Sequence, residues 1–280
     1  MSNQIKTIFL LSALTLVIML LGEAIGGPNG LWVAFGLAML MNFGAYWFSA
    51  KIVLAKTGAK VVGPQEAPQL YQLVEHLAQR ANLPTPKVAI VSDSAPNAFA
   101  TGRNPANAVV AVTTGLLNIL NREELAGVLG HELAHVKHRD ILIGSVAAVM
   151  AGAIMILANM AKFGALFSRG GQRRGSPLLA LLMAILAPIA AAIIQAAISR
   201  SREYLADDGG ADIAGSSLGL ASALEKLAGA ASHGQALTNA SPETASLFII
   251  NPLHFKGLSQ LFATHPPIDE RINRLRGLQP

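Results

Sequence analysis

Apolar residues along this chain gather in four long runs, at 7–22, 31–50, 141–161 and 177–199, with polar segments between them. At 1.5 Å of rise per residue, each run is long enough, or nearly so, to cross a bilayer as a helix. The first lies between Lys6 and Glu23, where a signal peptide would sit. A second run follows it in place of a small-x-small cleavage site and a polar mature segment, so it reads as a signal anchor. The second run ends in Tyr46, Trp47 and Phe48, an aromatic interface anchor, with Lys51, Lys56 and Lys60 behind it. The Gly-Gly-Pro-Asn-Gly stretch at 26–30 between these runs carries no positive charge. The positive-inside rule then places the amino terminus and everything after Lys51 in the cytoplasm.

The third and fourth runs are rich in Ala and Gly, which favours close helix packing, and Pro188 predicts a kink in the fourth. Their link carries Lys162, Arg169, Arg173 and Arg174, which would lie outside if both runs span, against the same rule. A re-entrant pair packed on the catalytic part stays open, and a spanning hairpin is the expectation. An even number of crossings returns the chain to the side it left, whereas one crossing would separate the flanking segments by roughly 30 Å of hydrocarbon.

The polar segments predict a small α/β unit. Residues 67–81 have helical periodicity through Leu70, Leu73, Val74 and Leu77. Residues 87–91 and 108–112 read as short Val-rich strands with proline punctuation. Asn121 followed by Glu124 predicts a capping box opening another helix. Helices are also expected around 218–227 and from 264 onward, where Pro266 and Pro267 suit an N-terminus. The fold class expected is a mainly α membrane protein with four apolar helices and a small α/β domain.

Composition supports a membrane protein. Of 280 residues, 52% are apolar and 13% charged, against roughly 25% charged in soluble domains. The net charge of +5 comes without a dense Lys/Arg stripe interleaved with aromatics, which speaks against nucleic-acid binding. Cysteine is absent, so a metal would have to be held by histidine and carboxylate.

Candidate chemistry concentrates in the helix opened by Asn121, where residues 131–135 read His-Glu-Leu-Ala-His. Histidines four apart share a helix face, so His131 and His135 can reach one zinc ion, with Glu132 beside them as a proton acceptor. A hydrolytic zinc needs a third protein ligand. The third run begins six residues after His135, roughly 9 Å along a helix, and the fourth releases the chain at Arg200. The returning segment, Ser-Arg-Glu-Tyr-Leu-Ala-Asp, offers Glu203 as that ligand. Asp207, one turn on, could accept a hydrogen bond from the far nitrogen of a ligating histidine. Alone, Glu203 and Asp207 would read as a solvated helix face; beside the histidine pair they read as ligand and support.

Two further segments remain open from spacing alone. Residues 97–100, Asn97, Ala98, Phe99 and Ala100, could form an extended segment that binds a peptide as an added strand, or Phe99 could be an ordinary core aromatic beside a turn. His265 near a helix start, with Arg271 nearby, could stabilise an oxyanion. His138 is a weak alternative metal ligand, and His76, His233 and His254 have no partner at ligand spacing.

The ordered set of Asn97–Ala98–Phe99–Ala100, His131-Glu-Leu-Ala-His135, Arg202 to Asp207 and Thr264-His265-Pro266-Pro267 resembles the HtpX-type proteases. These are membrane-embedded zinc metalloproteases of the same broad family as the prenyl-protein CAAX proteases. The resemblance implies one zinc held by His131, His135 and Glu203, with Glu132 as catalytic base and Asp207 behind the ligands. It also implies that residues 97–100 bind substrate, and that His265 and Arg271 contact the substrate carbonyl or oxyanion. A multi-pass protein of the bacterial inner membrane is implied, its catalytic part facing the cytoplasm and cutting damaged or misfolded membrane proteins. The expected organisation is a two-span anchor (1–50), a first catalytic part (51–140), an apolar hairpin (141–199) and a second catalytic part (200–280). Rivals are a CAAX-type processing protease and a non-catalytic membrane zinc-binding protein. A carrier would be expected to hold ionisable residues inside its spans, and the four runs have none.

Overall fold

The first two apolar runs form one helical hairpin, α1 (Asn3–Thr57), whose arms meet at Gly27 (φ 61°, ψ −151°) just before Pro28. Glycine takes this left-handed φ without a Cβ penalty, and proline then suits the first turn of the returning arm. Inside the hairpin, Asn42 Nδ2 donates to Thr15 Oγ1 at 2.8 Å, a polar clamp between otherwise apolar arms. The structure is a computed structural model; it describes residues 3–152, 200–232, 247–249 and 266–277. Among the described residues, only Gly27–Thr57 is a helix long and apolar enough to cross a membrane. The third run is described as far as Gly152, and the fourth lies outside the described residues.

A four-stranded sheet follows: β1 (Ala59–Val62), β2 (Lys87–Val91), β3 (Ala98–Thr101) and β4 (Val109–Thr113), in the order β1-β2-β4-β3. β2 and β4 run parallel in the centre, and β1 and β3 flank them antiparallel. The periodic segment forms α2 (Pro68–Arg80) on one face. β1 was not expected from sequence: its short Ala-Lys-Val-Val is half exposed and takes its register only from β2. The edge strand β3 is buried throughout, because its faces serve two cores. Ala98 and Ala100 face the cluster containing α2 and the histidine helix, whereas Phe99 packs with Val53 of α1 and with Phe248.

After a short α3 (Thr114–Ile119), α4 (Arg122–Lys137) opens with the expected capping box. Asn121 Oδ1 accepts the Glu124 N–H at 2.9 Å, and the Asn121 N–H donates to Glu124 Oε2 at 2.8 Å. α4 is buried almost all round, as the central helix of the catalytic unit. α5 (Asp140–Gly152) follows; then come α6 (Arg200–Ala214), α7 (Leu218–Ser232) and α8 (Ile268–Gly277).

The packing of α4 on α6 is close because glycines meet there. A Cβ on Gly210 would lie 2.7 Å from the His131 backbone nitrogen, and one on Gly130 would lie 2.6 Å from the Gly210 carbonyl oxygen. Both distances fall below van der Waals contact with backbone, which cannot swing aside as a side chain can. Gly210→Ala gains up to about 1 kcal/mol of helix propensity, but the clash at the crossing costs about 1–3 kcal/mol and should win. The variant is expected to melt at lower temperature and to bind less than the wild-type complement of metal; wild-type values for both would contradict this reading of the crossing.

Candidate active site

Three side chains converge where α4 and α6 cross. His131 and His135 lie one turn apart on α4 with their Nε2 atoms 3.2 Å from each other. Glu203, in the first turn of α6, places Oε2 3.8 Å from His131 Nε2 and Oε1 3.7 Å from His135 Nε2. Ligands about 2.0–2.1 Å from a tetrahedral zinc stand about 3.3 Å apart. The triangle is therefore slightly open along its carboxylate edges and is of the size a zinc ion fills.

Proton positions point the same way. His131 Nδ1 lies 2.9 Å from Asp207 Oδ1, and His135 Nδ1 lies 3.1 Å from Asp140 Oδ2. Each imidazole can thus donate its Nδ1–H to a carboxylate, which leaves two bare Nε2 lone pairs facing one another beside a third carboxylate. The repulsion within such a cluster is relieved by a proton on His135 or by a cation among the three. Around it, Glu132, Glu203, Asp207 and Asp140 face Arg271 and Arg202, four carboxylates against two guanidiniums. With all four carboxylates ionised and both rings neutral, two negative charges are left over, which a divalent ion would balance.

Glu132 points from α4 towards β3. Its carboxylate receives the backbone N–H of Ala100, and burial, assisted by Glu203, pushes it up to about 7. Burial pushes His131 down to about 4 against the pull of Asp207, so this ring is neutral at physiological pH. Burial also works to lower His135, but Asp140, Glu203 and Glu132 outweigh it and raise it to about 9. The two rings differ because Arg271 stands behind one, whereas carboxylates surround the other.

Arg271 reaches the Nδ1 side of His131. It is fully buried, with Nε 2.9 Å from Asp207 Oδ2, Nη2 2.6 Å from Asp207 Oδ1, and Nη1 3.2 Å from the Ile249 carbonyl oxygen. Nη2 also lies 3.4 Å from His131 Nδ1, but Asp207 Oδ1 is nearer to both. The guanidinium is paired bidentately with Asp207. Burial would raise Asp207, but Arg271 and His131 outweigh it and hold the carboxyl below the usual carboxylate range. α8 carries Arg271 and is anchored by Arg274 on Asp208 and Arg276 on Glu225.

Segment 97–100 is both an extended edge strand and part of the core. Phe99 is a core aromatic, its ring 5.2 Å from that of Phe248. The same residues form the edge of the sheet, where the Ala98 carbonyl accepts the Ile249 N–H at 3.1 Å. Asn97 is buried: its N–H donates to Thr113 Oγ1 at 2.9 Å, and its Oδ1 accepts the Ala98 N–H at 3.1 Å. His265 lies outside the described residues. Sequence reasoning missed Asp140 and the glycine pair at the crossing. Gly130 directly before His131, and Gly210 three residues after Asp207, were signals in plain view.

A helix-borne histidine pair with an adjacent glutamate, completed by a carboxylate from a second helix, defines a metalloprotease. The sequence profile of peptidase family M48 matches residues 64–279. The chain is 58% identical over 284 residues to a protease HtpX homolog of Desulfatibacillum aliphaticivorans, covering 100% of this chain and 91% of the relative. A protease HtpX homolog of Syntrophobacter fumaroxidans is 56% identical (99% and 100% covered). One of Thermococcus kodakarensis is 54% identical (97% and 94% covered). Among solved structures, S. mikatae Ste24p matches with a TM-score of 0.48 and 20% identity, over 98% of this chain and 65% of that one. The chain belongs to peptidase family M48: it is a membrane zinc-dependent protease.

Two outcomes follow from the charges. Removing Arg271 leaves Asp207 buried without its cation, so Arg271→Ala should lose about 3–5 kcal/mol in denaturant unfolding; a loss under about 1 kcal/mol would show the pair to be unimportant. If His135 holds the metal, its proton competes with zinc below about 9, so apparent zinc affinity should rise with pH from 6 to 8, with proton release measurable by calorimetry in two buffers. Affinity that is flat over that range would contradict it.

Proposed function

We propose that the protein is an endopeptidase whose zinc is held by His131, His135 and Glu203 and whose base is Glu132. The observation that carries this reading is the triangle of two facing Nε2 atoms and a carboxylate, with distances of 3.2, 3.7 and 3.8 Å. Zinc bound there supplies Lewis acidity, which polarises a peptide carbonyl and brings the proton of water within reach of a carboxylate near neutral pH.

Glu132 takes that proton as water attacks the carbonyl carbon, then hands it to the departing amine. Its carboxyl, raised to about 7, is matched to both transfers, and the Ala100 N–H steadies it. Asp207 fixes the tautomer of His131, and Arg271 fixes Asp207. The reading of His265 as an oxyanion donor belongs to this proposal.

Substrate enters as an added strand on β3, with residues 97–100 as the binding edge. The bond from Ile249 to Ala98 supports this, because the Ala98 carbonyl faces outward and accepts a backbone amide. A substrate strand takes that carbonyl from Ile249 when it binds. Four apolar runs, read as spans, hold the site at the cytoplasmic face of the bacterial inner membrane, and damaged or misfolded membrane proteins are the substrates. The divisions at 50, 140 and 199 are those of anchor, first catalytic part, apolar hairpin and second catalytic part.

Glu132→Gln should keep one zinc per chain and lose at least about 100-fold in cleavage, whereas Glu203→Ala should lower zinc content by elemental analysis. Wild-type turnover in the first variant, or unchanged zinc in the second, would overturn the assigned roles. Offering an unfolded membrane protein beside a prenylated peptide tests the substrate class; preference for the peptide would favour CAAX-type processing.

A further inference from the structure

His131 has long-range support from Asp207 and Arg271, and a second construction of the same kind stands behind His135. α4 ends at Lys137, and His138 caps it with its N–H on the Ala134 carbonyl oxygen. The chain then reverses through Arg139, whose φ is 59°. A side chain other than glycine in this left-handed region costs on the order of 1 kcal/mol and persists where surrounding structure requires it. Here the turn brings the next residue, Asp140, back over the last turn of α4. Its Oδ2 comes to 3.1 Å from His135 Nδ1, and its Oδ1 lies 3.6 Å from Arg202 Nη1. Asp140 and the Arg202 side chain are 9% and 12% exposed, so the contacts are largely shielded from water.

The arrangement follows the same order as on the other histidine, with a looser ion pair from Arg202 in place of the bidentate bond from Arg271. Each ring presents Nε2 towards the metal position and Nδ1 towards an aspartate, and each aspartate is met by an arginine. Arg202 precedes Glu203 on α6, so the helix that delivers the third ligand also reaches the carboxylate behind the second. We propose that Asp140 is a positioning residue for His135, accepting its Nδ1–H so that Nε2 keeps its lone pair for zinc, with Arg202 holding Asp140 in place. This inference rests on the zinc reading given above.

Asp140 also begins α5, where an aspartate can serve as a helix cap, and the test has to separate the two roles. Asp140→Ser keeps a capping oxygen on a side chain too short to reach the imidazole. Asp140→Asn keeps both the cap and an uncharged acceptor for Nδ1–H. Zinc affinity of the full-length protein in detergent is measured by competition with a chelating dye, and the ligand field by the visible spectrum of the cobalt-substituted form. Asp140→Ser should weaken zinc binding by about 10–100-fold and alter the cobalt spectrum, while Asp140→Asn should fall between it and wild type. A folded Asp140→Ser variant with wild-type zinc affinity and cobalt spectrum would overturn the proposal, and so would an Asn variant as impaired as the Ser variant. Failure of the zinc reading looks different: wild type would then bind no zinc, or would bind it equally well without His131.

Discussion

His131 and Glu203 come within reach of one another only because the backbones of α4 and α6 touch at Gly130 and Gly210. Zinc ligands must stand about 2 Å from the ion, whereas ordinary helix pairs lie 8–10 Å apart with side chains between them. A glutamate from the second helix then meets the histidines in a tight triangle, and Asp207, one turn further on, passes behind His131. The rest of the catalytic unit fixes this crossing. α7 grips α4 through the Lys226–Glu124 ion pair and the Ser222–Glu124 hydrogen bond. α8 grips α6 through Arg271 and Arg274.

Burial sets the chemistry of the site. Four carboxylates and two guanidiniums in a largely dry interior are costly unless each charge is matched. Arg271 matches Asp207, Arg202 approaches Asp140, and the proposed dication would match what remains. The same dryness raises Glu132 into the range a general base uses at neutral pH. A more exposed Glu132 would lose its upward shift, and a less paired Asp207 would hold the His131 ring less firmly.

Much of this was legible in the sequence, for reasons of spacing. The pair at 131 and 135, the cap at Asn121 and Glu124, and the strand at 87–91 depend on neighbours within a few residues. Glu203 was reachable by reading the two apolar runs between 141 and 199 as a pair that returns the chain to the side it left. β1 was not legible, since its pairing partner lies about thirty residues away and its own pattern is weak. The orientation of Arg271 was hidden because it depends on Asp207, sixty-four residues earlier. Asp140 was hidden by the left-handed residue before it, which no helical periodicity anticipates. The Phe99 ambiguity arose because one strand serves a core with its side chains and an edge with its backbone.

The most direct measurement is anomalous diffraction at the zinc edge from crystals of the metal-loaded protein. The account predicts one strong peak inside the triangle of His131 Nε2, His135 Nε2 and the Glu203 carboxylate, with Asp207 and Asp140 on the far ring nitrogens. A peak at any other histidine, or a Glu203 turned away from the ion, would contradict it.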